Sequence, residues 1–190
     1  DKEYAKLFLP LSDGSLPDAH QMTADLFGMT RDAVKPCNHG ANYGIGVNGL
    51  VRNGVPREIA EKFLRQAAEP FPAREMWMRE VRSIGESGVL LDNGFGRKMR
   101  CDPERAYTQA PALIGQGATR DIMAQALLNL PTELRPMLRS VIHDEIVMSV
   151  PEDSVEDVRR TVIEAVTMEF KGIPITWGSS KPGRNWADCY

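Results

Sequence analysis

An acidic tripeptide between two apolar runs constrains this chain more than any other feature. It reads His143-Asp144-Glu145, and residues 141–142 and 146–148 on either side of it are apolar. β-Branched residues on both sides of a short polar segment predict two strands joined by a tight turn. Adjacent carboxylates between such strands cost solvation free energy unless a partner compensates them. Because Mg²⁺ binds carboxylate oxygens, the tripeptide is either part of a metal site or a polar hairpin tip that faces water.

The composition is that of an ordinary globular chain. Of 190 residues, 42% are hydrophobic and 26% are charged, which leaves room for one substantial domain or two small lobes. The formal net charge of −3 does not favour a generally basic nucleic-acid-binding protein, so nucleic acid would have to bind a local basic face. The three cysteines include no CxxC pair, which argues for a reducing compartment and against a disulfide framework or zinc site. No apolar run matches a membrane span and no signal peptide is visible, so we expect a cytoplasmic protein.

A cationic helix over about residues 30–46 is the second unusual feature. Side chains that could bind anions or stack on a ring recur at every fourth position: Arg31, Lys35, His39 and Tyr43. On a helix these positions lie along one side, which suits a polyphosphate with a ring beyond it, or a solvated basic face. Pro36 costs about 3 kcal/mol in a helix interior, so we expect the helix to be kinked there or to begin near it.

The remaining pattern predicts an α+β fold. The predicted helices cover residues 1–9, 19–27, 56–68, 73–84, pieces of 103–130 interrupted at Pro111, and 155–170. The predicted strands form a basic hairpin over about 89–101, the pair around the acidic tripeptide, and a final strand over 173–177. We therefore expect a mostly helical lobe over residues 1–130, with a smaller lobe of β-hairpin, helix and strand over 131–190.

Further polar residues could contact a ligand. The basic hairpin contains Arg97 and Lys98, a cluster typical of solvated surface or of a contact with a phosphate backbone. Arg105 and Gln109 lie one helical turn apart, and Gln116 lies between two glycines, where a side chain can meet a ligand without crowding.

Together these segments resemble the family A DNA polymerases, the bacterial DNA polymerase I type. The pattern Arg31-x3-Lys35-x7-Tyr43-Gly44 resembles the nucleotide-binding helix of that family, and His143-Asp144-Glu145 resembles its third catalytic motif. Matching pieces lie in the same order along the chain: Asp18-Ala19-His20, Glu104-Arg105, Gln109-Ala110-Pro111, Gln116-Gly117, Asp121-Ile122 and Gly183-Arg184-Asn185-Trp186. The loop before Arg31 and the Asn38-His39-Gly40 variant resemble bacteriophage members more than bacterial ones.

The resemblance spans essentially the whole chain and implies a helical fingers lobe followed by part of an antiparallel-sheet palm. It implies template-directed DNA synthesis, in which a primer 3′-hydroxyl attacks a dNTP by a two-metal mechanism. The catalytic residues would be Asp144, Glu145, His143 and Lys35. Asp144 and Glu145 would bind two Mg²⁺ ions, shared with an aspartate outside this chain, and His143 would approach the primer terminus.

The resemblance also assigns the binding residues. The incoming nucleotide would contact Arg31, Lys35, His39, Tyr43 and His20, with Tyr43 near the templating base. Primer–template DNA would contact Arg105, Gln109 and Gln116, and the basic residues Arg97 and Lys98 are further DNA-binding candidates.

Three departures from the family pattern bear on these expectations. His39 replaces an aromatic residue at a position that influences sugar discrimination in the family, and Pro36 is unusual in that helix. The first catalytic motif, with its metal-binding aspartate, would lie upstream of Asp1, and no cap is evident at the start of the first predicted helix. We therefore expect the 190-residue chain alone to be inactive, and to need an upstream polymerase region in the same or another chain. We expect no membrane partner, and host cytoplasm if the origin is a bacteriophage.

Three alternatives stay open at this point. A single-subunit RNA polymerase shares the cationic helix but usually has serine at the position of Glu145. A catalytically silent piece could bind DNA or a partner chain. Metal-dependent hydrolysis at residues 143–145 would need further ligands that the sequence does not reveal.

Overall fold

The computed structural model describes residues 1–67 and 69–189. The chain divides into two compact units, Asp1–Ala118 and Thr119–Tyr190. Helices dominate, with three two-stranded antiparallel sheets in the described residues, so the predicted α+β class is confirmed. The lobe boundary expected near residue 130 stays a prediction.

The first part of the chain is mainly helical. Its helices are α1 (Lys2–Ala5), α2 (Ala19–Phe27), α3 (Arg31–Asn42), α4 (Val47–Arg52), α5 (Arg57–Ala67), α6 (Pro72–Glu86) and α7 (Ala106–Asn129). A short hairpin of β1 (Leu91–Asp92) and β2 (Lys98–Met99) precedes α7. The predicted helix over 56–68 is confirmed as α5 for residues 57–67, and Ala68 lies outside the described residues.

Helix α2 illustrates how local sequence sets the helix ends. The Asp18 carboxylate accepts hydrogen bonds from the backbone N–H groups of His20 and Gln21, which would otherwise have no partner within the helix. At the other end Gly28 adopts a left-handed conformation with φ of 58°. The predicted bounds of this helix are therefore confirmed.

The core of this part packs α2, α3 and α5 around Phe63. Phe63 is 1% exposed and meets the ring of Phe27 edge-on, with ring centroids 5.4 Å apart. Val34 and Cys37 from α3 are fully buried in the same cluster. The buried face of α3 thus directs its cationic face toward solvent.

The predicted start of the cationic helix near Pro36 and the predicted break at Pro111 were wrong. Helix α3 begins at Arg31, where the Thr30 hydroxyl accepts from the Ala33 N–H, and continues through Pro36 rather than beginning there. Helix α7 likewise continues through Pro111 instead of being interrupted. Proline at 111 removes the donor that would pair with the carbonyl of Tyr107, and the Arg82 side chain donates to that carbonyl instead, at 2.9 Å. Short helix α4 was not predicted at all.

The second unit contains the C-terminal half of α7, and its described residues add two hairpins and a further helix. Strands β3 (Leu138–Ile142) and β4 (Glu145–Met148) pair in antiparallel register, and helix α8 (Val155–Val166) follows. The predicted helix over 155–170 was too long, because residues 168–170 form β5 (Met168–Phe170), which pairs with β6 (Ile173–Ile175). The final strand ends at Ile175 rather than at residue 177. Ala126, Leu130 and Val166 form the buried cluster of this unit.

Some large apolar side chains of these helices face solvent. Leu26, Met76 and Trp77 are 54%, 69% and 42% exposed. The first helix does have a cap, since the Asp1 carboxylate accepts from the N–H groups of Glu3 and Tyr4. No helix in residues 1–67 and 69–189 is long and apolar enough to cross a membrane.

Candidate active site

The exposed face of α3 carries the cationic residues. Lys35 and His39 are exposed and Arg31 is half-buried, whereas Val34 and Cys37 on the opposite side are fully buried. The residues predicted at every fourth position therefore lie along one continuous helix, which ends at its C-cap residue, Tyr43.

Arg31 is anchored at the start of α3 by an ion pair with Asp18. The Arg31 Nε atom lies 2.7 Å from Asp18 Oδ2, and the Arg31 guanidinium lowers the pKa of the Asp18 carboxyl, as do the backbone donors of α2. Both side chains are about two-fifths exposed, at 41% and 43%, so the pair contributes little free energy of unfolding. Its effect is positional, because one carboxylate ties the beginnings of α2 and α3 together.

His20 and His39 lie side by side on α2 and α3. Their ring centroids are 5.1 Å apart with an interplanar angle of 59°. Asn38 Nδ2 lies 3.1 Å from His20 Nδ1, and an amide nitrogen can only donate, so Nδ1 accepts and the neutral ring carries its proton on Nε2. Burial lowers the pKa of His20, and the neighbouring His39 lowers it further, while Asp18 opposes both effects.

Tyr43 and Gly44 end the cationic helix in a confined position. Tyr43 is 38% exposed, and a Cβ added at Gly115 of α7 would lie 4.0 Å from its ring. Gly44 has φ of +71°, and a Cβ there would lie 2.7 Å from Arg82 Nη2 and 3.0 Å from the Tyr107 carbonyl oxygen. Glycine is therefore required at position 44 both for its conformation and for space.

The predicted DNA-contacting residues of the first part fall into different environments. Arg105 and Gln116 are exposed, in the 3₁₀ turn before α7 and on α7 respectively. Gln109 is half-buried, and its Oε1 accepts from the Asp102 backbone N–H at 2.7 Å, which ties the loop before α7 to the helix. Sequence reasoning missed this structural contact.

The basic hairpin is real but shorter than predicted, with only two residues in each strand. Lys98 forms an ion pair with Asp92 at 2.8 Å, and both side chains are exposed. Arg97 and Phe95 are exposed near the turn. A Cβ at Gly117 of α7 would lie 2.6 Å from Met99 Sδ, so the small residue lets the hairpin pack closely on the helix.

The acidic hairpin of the second unit places its carboxylates at the turn. Ile142 pairs with Glu145, so His143 and Asp144 form a two-residue turn, and His143 has φ of 53°. Asp144 is exposed, and Glu145 is half-buried as the first residue of β4 rather than part of the turn. Oxygen ligands of this type fit Mg²⁺. Within residues 1–67 and 69–189, however, no group of three or more His, Cys, Asp or Glu side chains could hold a metal ion.

A groove that the sequence did not reveal runs beside this hairpin. It has a volume of about 320 Å³ and is lined by the turn residue Asp144 and by residues of β4, α8 and the C-terminal segment, including Glu145 and Trp177. In the part of the chain that the structure describes, the buried Trp177 Nε1 atom has no hydrogen-bond partner. The groove forms only where β4, α8 and the C-terminal segment pack together, so no local sequence pattern predicts it.

Comparisons with known proteins agree with the sequence resemblance. Residues 13–188 match the family model for DNA polymerase family A. The chain is 27% identical over 176 residues to the DNA polymerase of Mycobacterium phage L5, covering 91% of this chain and 29% of that protein. It is 29% identical over 195 residues to the thermostable DNA polymerase I of Thermus filiformis, covering 90% of this chain and 23% of that protein.

A third relative, DNA polymerase I of Lactococcus lactis, is 29% identical over 187 residues, which cover 87% of this chain and 20% of the relative. The chain thus spans less than a third of the length of these relatives. The family match, in contrast, extends over most of the chain, from the loop before α2 to its C-terminal segment. This chain belongs to DNA polymerase family A.

Proposed function

We propose that the whole protein synthesises DNA from dNTPs on a primer–template, and that this chain supplies its nucleotide-binding helix and one catalytic hairpin. The observation that carries the proposal is the exposed face of α3, with Arg31, Lys35, His39 and Tyr43 in a chain of this family. Polyphosphates bind clustered cations of this kind, and the ring of Tyr43 lies where a base could stack.

Lys35 is the residue best suited to the phosphates of the nucleotide. Among the described residues it forms no ion pair, so its ammonium group is not neutralised, whereas Arg31 is paired with Asp18. We therefore assign Lys35 to the triphosphate as both a binding and a catalytic residue. Arg31 and His20 would contact the same group, and Tyr43 the base pair that forms.

Asp144 and Glu145 would hold Mg²⁺ beside the reacting groups. The two carboxylates fit the preference of the ion for oxygen, but a complete site needs ligands beyond those in the described residues. We assign the missing aspartate to an upstream polymerase region, in the same or another chain. When bound, Mg²⁺ supplies positive charge that stabilises the phosphate oxygens. His143, exposed at the turn, would approach the primer terminus.

Primer–template DNA would contact the exposed polar residues of the first unit. Arg105 and Gln116 are available on the surface, and Arg97 and Lys98 provide positive charge on the hairpin. Gln109 is half-buried, and its Oε1 atom holds the loop before α7 in position. Its amide N–H groups would donate to DNA. With a net charge of −3, DNA binding depends on such local positive surface.

Primer extension by the full-length protein tests the proposal. Asp144→Ala should abolish Mg²⁺-dependent extension and leave circular dichroism and duplex binding unchanged. Glu164→Ala, an exposed carboxylate on α8, is the matched control and should extend primers normally. Near-normal extension by Asp144→Ala would exclude the catalytic assignment. No extension by the unmodified protein, with duplex binding intact, would instead favour a catalytically silent DNA-binding protein.

A further inference from the structure

Two of the three histidines in the chain lie against one another beside the cationic face of α3. His20 comes from the first turn of α2 and His39 from the last turn of α3, with ring centroids 5.1 Å apart. His39 is exposed, and its ring contact in the described part of the chain is with His20. Two protonated imidazoles at this distance repel one another.

The surroundings of His20 favour its neutral state in the absence of an anion. The charged or titratable groups that act on His20 are Asp18, His39, Arg31 and Lys35, and three of these four are positive or become so on protonation. Asn38 donates to Nδ1 of His20, which leaves that nitrogen without a proton. The pKa of His20 is accordingly held below its ordinary value.

We propose that His20 and His39 form a paired imidazole subsite for the polyphosphate of the nucleotide, and that anion binding drives the uptake of at least one proton from solvent onto the pair. The inference rests on the proposed nucleotide-binding role of α3. A polyphosphate brings several negative charges to the same face as Lys35, which offsets the repulsion between the two rings. A protonated ring donates from both nitrogens and can bond directly to a phosphate oxygen.

The sign of the pH dependence follows from this arrangement. A bound anion raises the pKa of His20, so binding takes up a proton when the solution pH lies between the pKa of this ring in the free site and its pKa in the occupied site. Affinity therefore rises as pH falls through this window, by up to about tenfold per pH unit for each proton taken up. Below the pKa of His20 in the free site, this ring is protonated before binding and the dependence ends.

Isothermal titration calorimetry of the full-length protein with inorganic tripolyphosphate tests the inference. Titrations from about pH 8 to about pH 6, in two buffers of different ionisation enthalpy, count the protons taken up on binding. His39→Phe keeps an aromatic ring but removes the second imidazole and its repulsion, so both the proton count and the slope of affinity against pH should fall. His20→Asn should do the same. Protonation of the probe itself is common to all variants and cancels in the comparison.

A neighbouring exposed residue without a titratable side chain provides the control. Gln21 follows His20 in α2, so Gln21→Ala should leave the proton count unchanged. Equal proton counts in the unmodified protein, His39→Phe and His20→Asn, all binding tripolyphosphate, would overturn the paired subsite and leave the nucleotide site on α3 intact. Absence of tripolyphosphate binding at every pH would overturn both the subsite and the proposed function of α3.

Discussion

Arg31 and Lys35 carry the same charge on the same helix face but differ in what surrounds them. Asp18 accepts from Arg31 at 2.7 Å, so part of the Arg31 charge is neutralised within the protein. Lys35 is exposed and, among the described residues, forms no ion pair. An anion that reaches this face therefore gains most from Lys35.

Lys35→Ala should raise the apparent KM for dNTPs or slow incorporation by roughly tenfold to a hundredfold, since hydrogen bonds to charged groups contribute about 1.5–3 kcal/mol. Steady-state primer extension with the full-length protein measures this effect. Lys2→Ala, an exposed lysine on α1, is the matched control. Loss of duplex affinity, with the dNTP dependence unchanged, would place Lys35 on DNA rather than on the nucleotide.

The sequence predicted which side chains share a helix face, because that depends only on their spacing. It did not predict contacts between side chains on different helices, because those depend on packing. The fourfold spacing from Arg31 to Tyr43 was visible in sequence because a single helix face needs only the helical period. The contacts of His20 with Asn38 and His39 join residues 18 and 19 positions apart, on two helices whose packing no local pattern specifies. For the same reason the hydrogen bond of Gln109 to the Asp102 backbone was missed.

At the level of elements, two neighbouring glycines just after α3 differ sharply in what they tolerate. Gly44 has φ of +71° and confined space, whereas Gly46 has an extended backbone, with φ of −84°, and open space where a Cβ would lie. Gly44→Ala should therefore lower the free energy of unfolding by about 1–3 kcal/mol. Urea unfolding of the full-length protein measures this, with Gly46→Ala as control. Equal effects of the two substitutions would contradict the confinement of Gly44.

Helix α7 continues through Pro111, and Arg82 supplies the hydrogen-bond donor that the proline lacks. Arg82 donates to the Tyr107 carbonyl that Pro111 leaves without a helix partner, and its guanidinium lies 3.9 Å from the Tyr107 ring centroid. Arg82→Ala should lower the free energy of unfolding by about 0.5–1.5 kcal/mol, because an exposed carbonyl loses its donor. In a Pro111→Ala background, position 111 regains an N–H, so the same substitution should have a smaller effect. Urea unfolding of the two single variants and the double variant measures this. If the two changes in the free energy of unfolding are strictly additive, the Arg82 side chain does not take the place of the N–H that is missing at position 111.

This example also explains which elements were predictable. Asp18 and Gly28 set the ends of α2 through local hydrogen bonds and conformation, so its bounds were predicted correctly. Pro111 was read as a break because the compensating Arg82 comes from a different helix. The apolar stripe of α8 continues into β5, so periodicity alone did not locate the change from helix to strand after Val166.

At the scale of the whole molecule, the cationic helix and the acidic hairpin belong to different compact units of one chain. Their order along the sequence identified the family, because both motifs are short and local enough to be read without the fold. The order of the motifs does not show whether the metal site is complete. Asp144 and Glu145 are two carboxylates, and the described residues contain no group of three or more potential ligands.

The 190-residue chain in isolation should separate nucleotide binding from catalysis. If α3 binds polyphosphate without the metal site, the isolated chain should bind inorganic tripolyphosphate but show no primer extension above the level of Asp144→Ala in the full-length protein. The physical reason is that two carboxylates alone do not hold two Mg²⁺ ions in the geometry for phosphoryl transfer. Adding a purified upstream polymerase region in trans should restore extension if that region supplies the missing ligand. Robust incorporation by the isolated chain would show instead that its own residues complete the site, and would shift the search for the third ligand to residues of the second unit beside the groove.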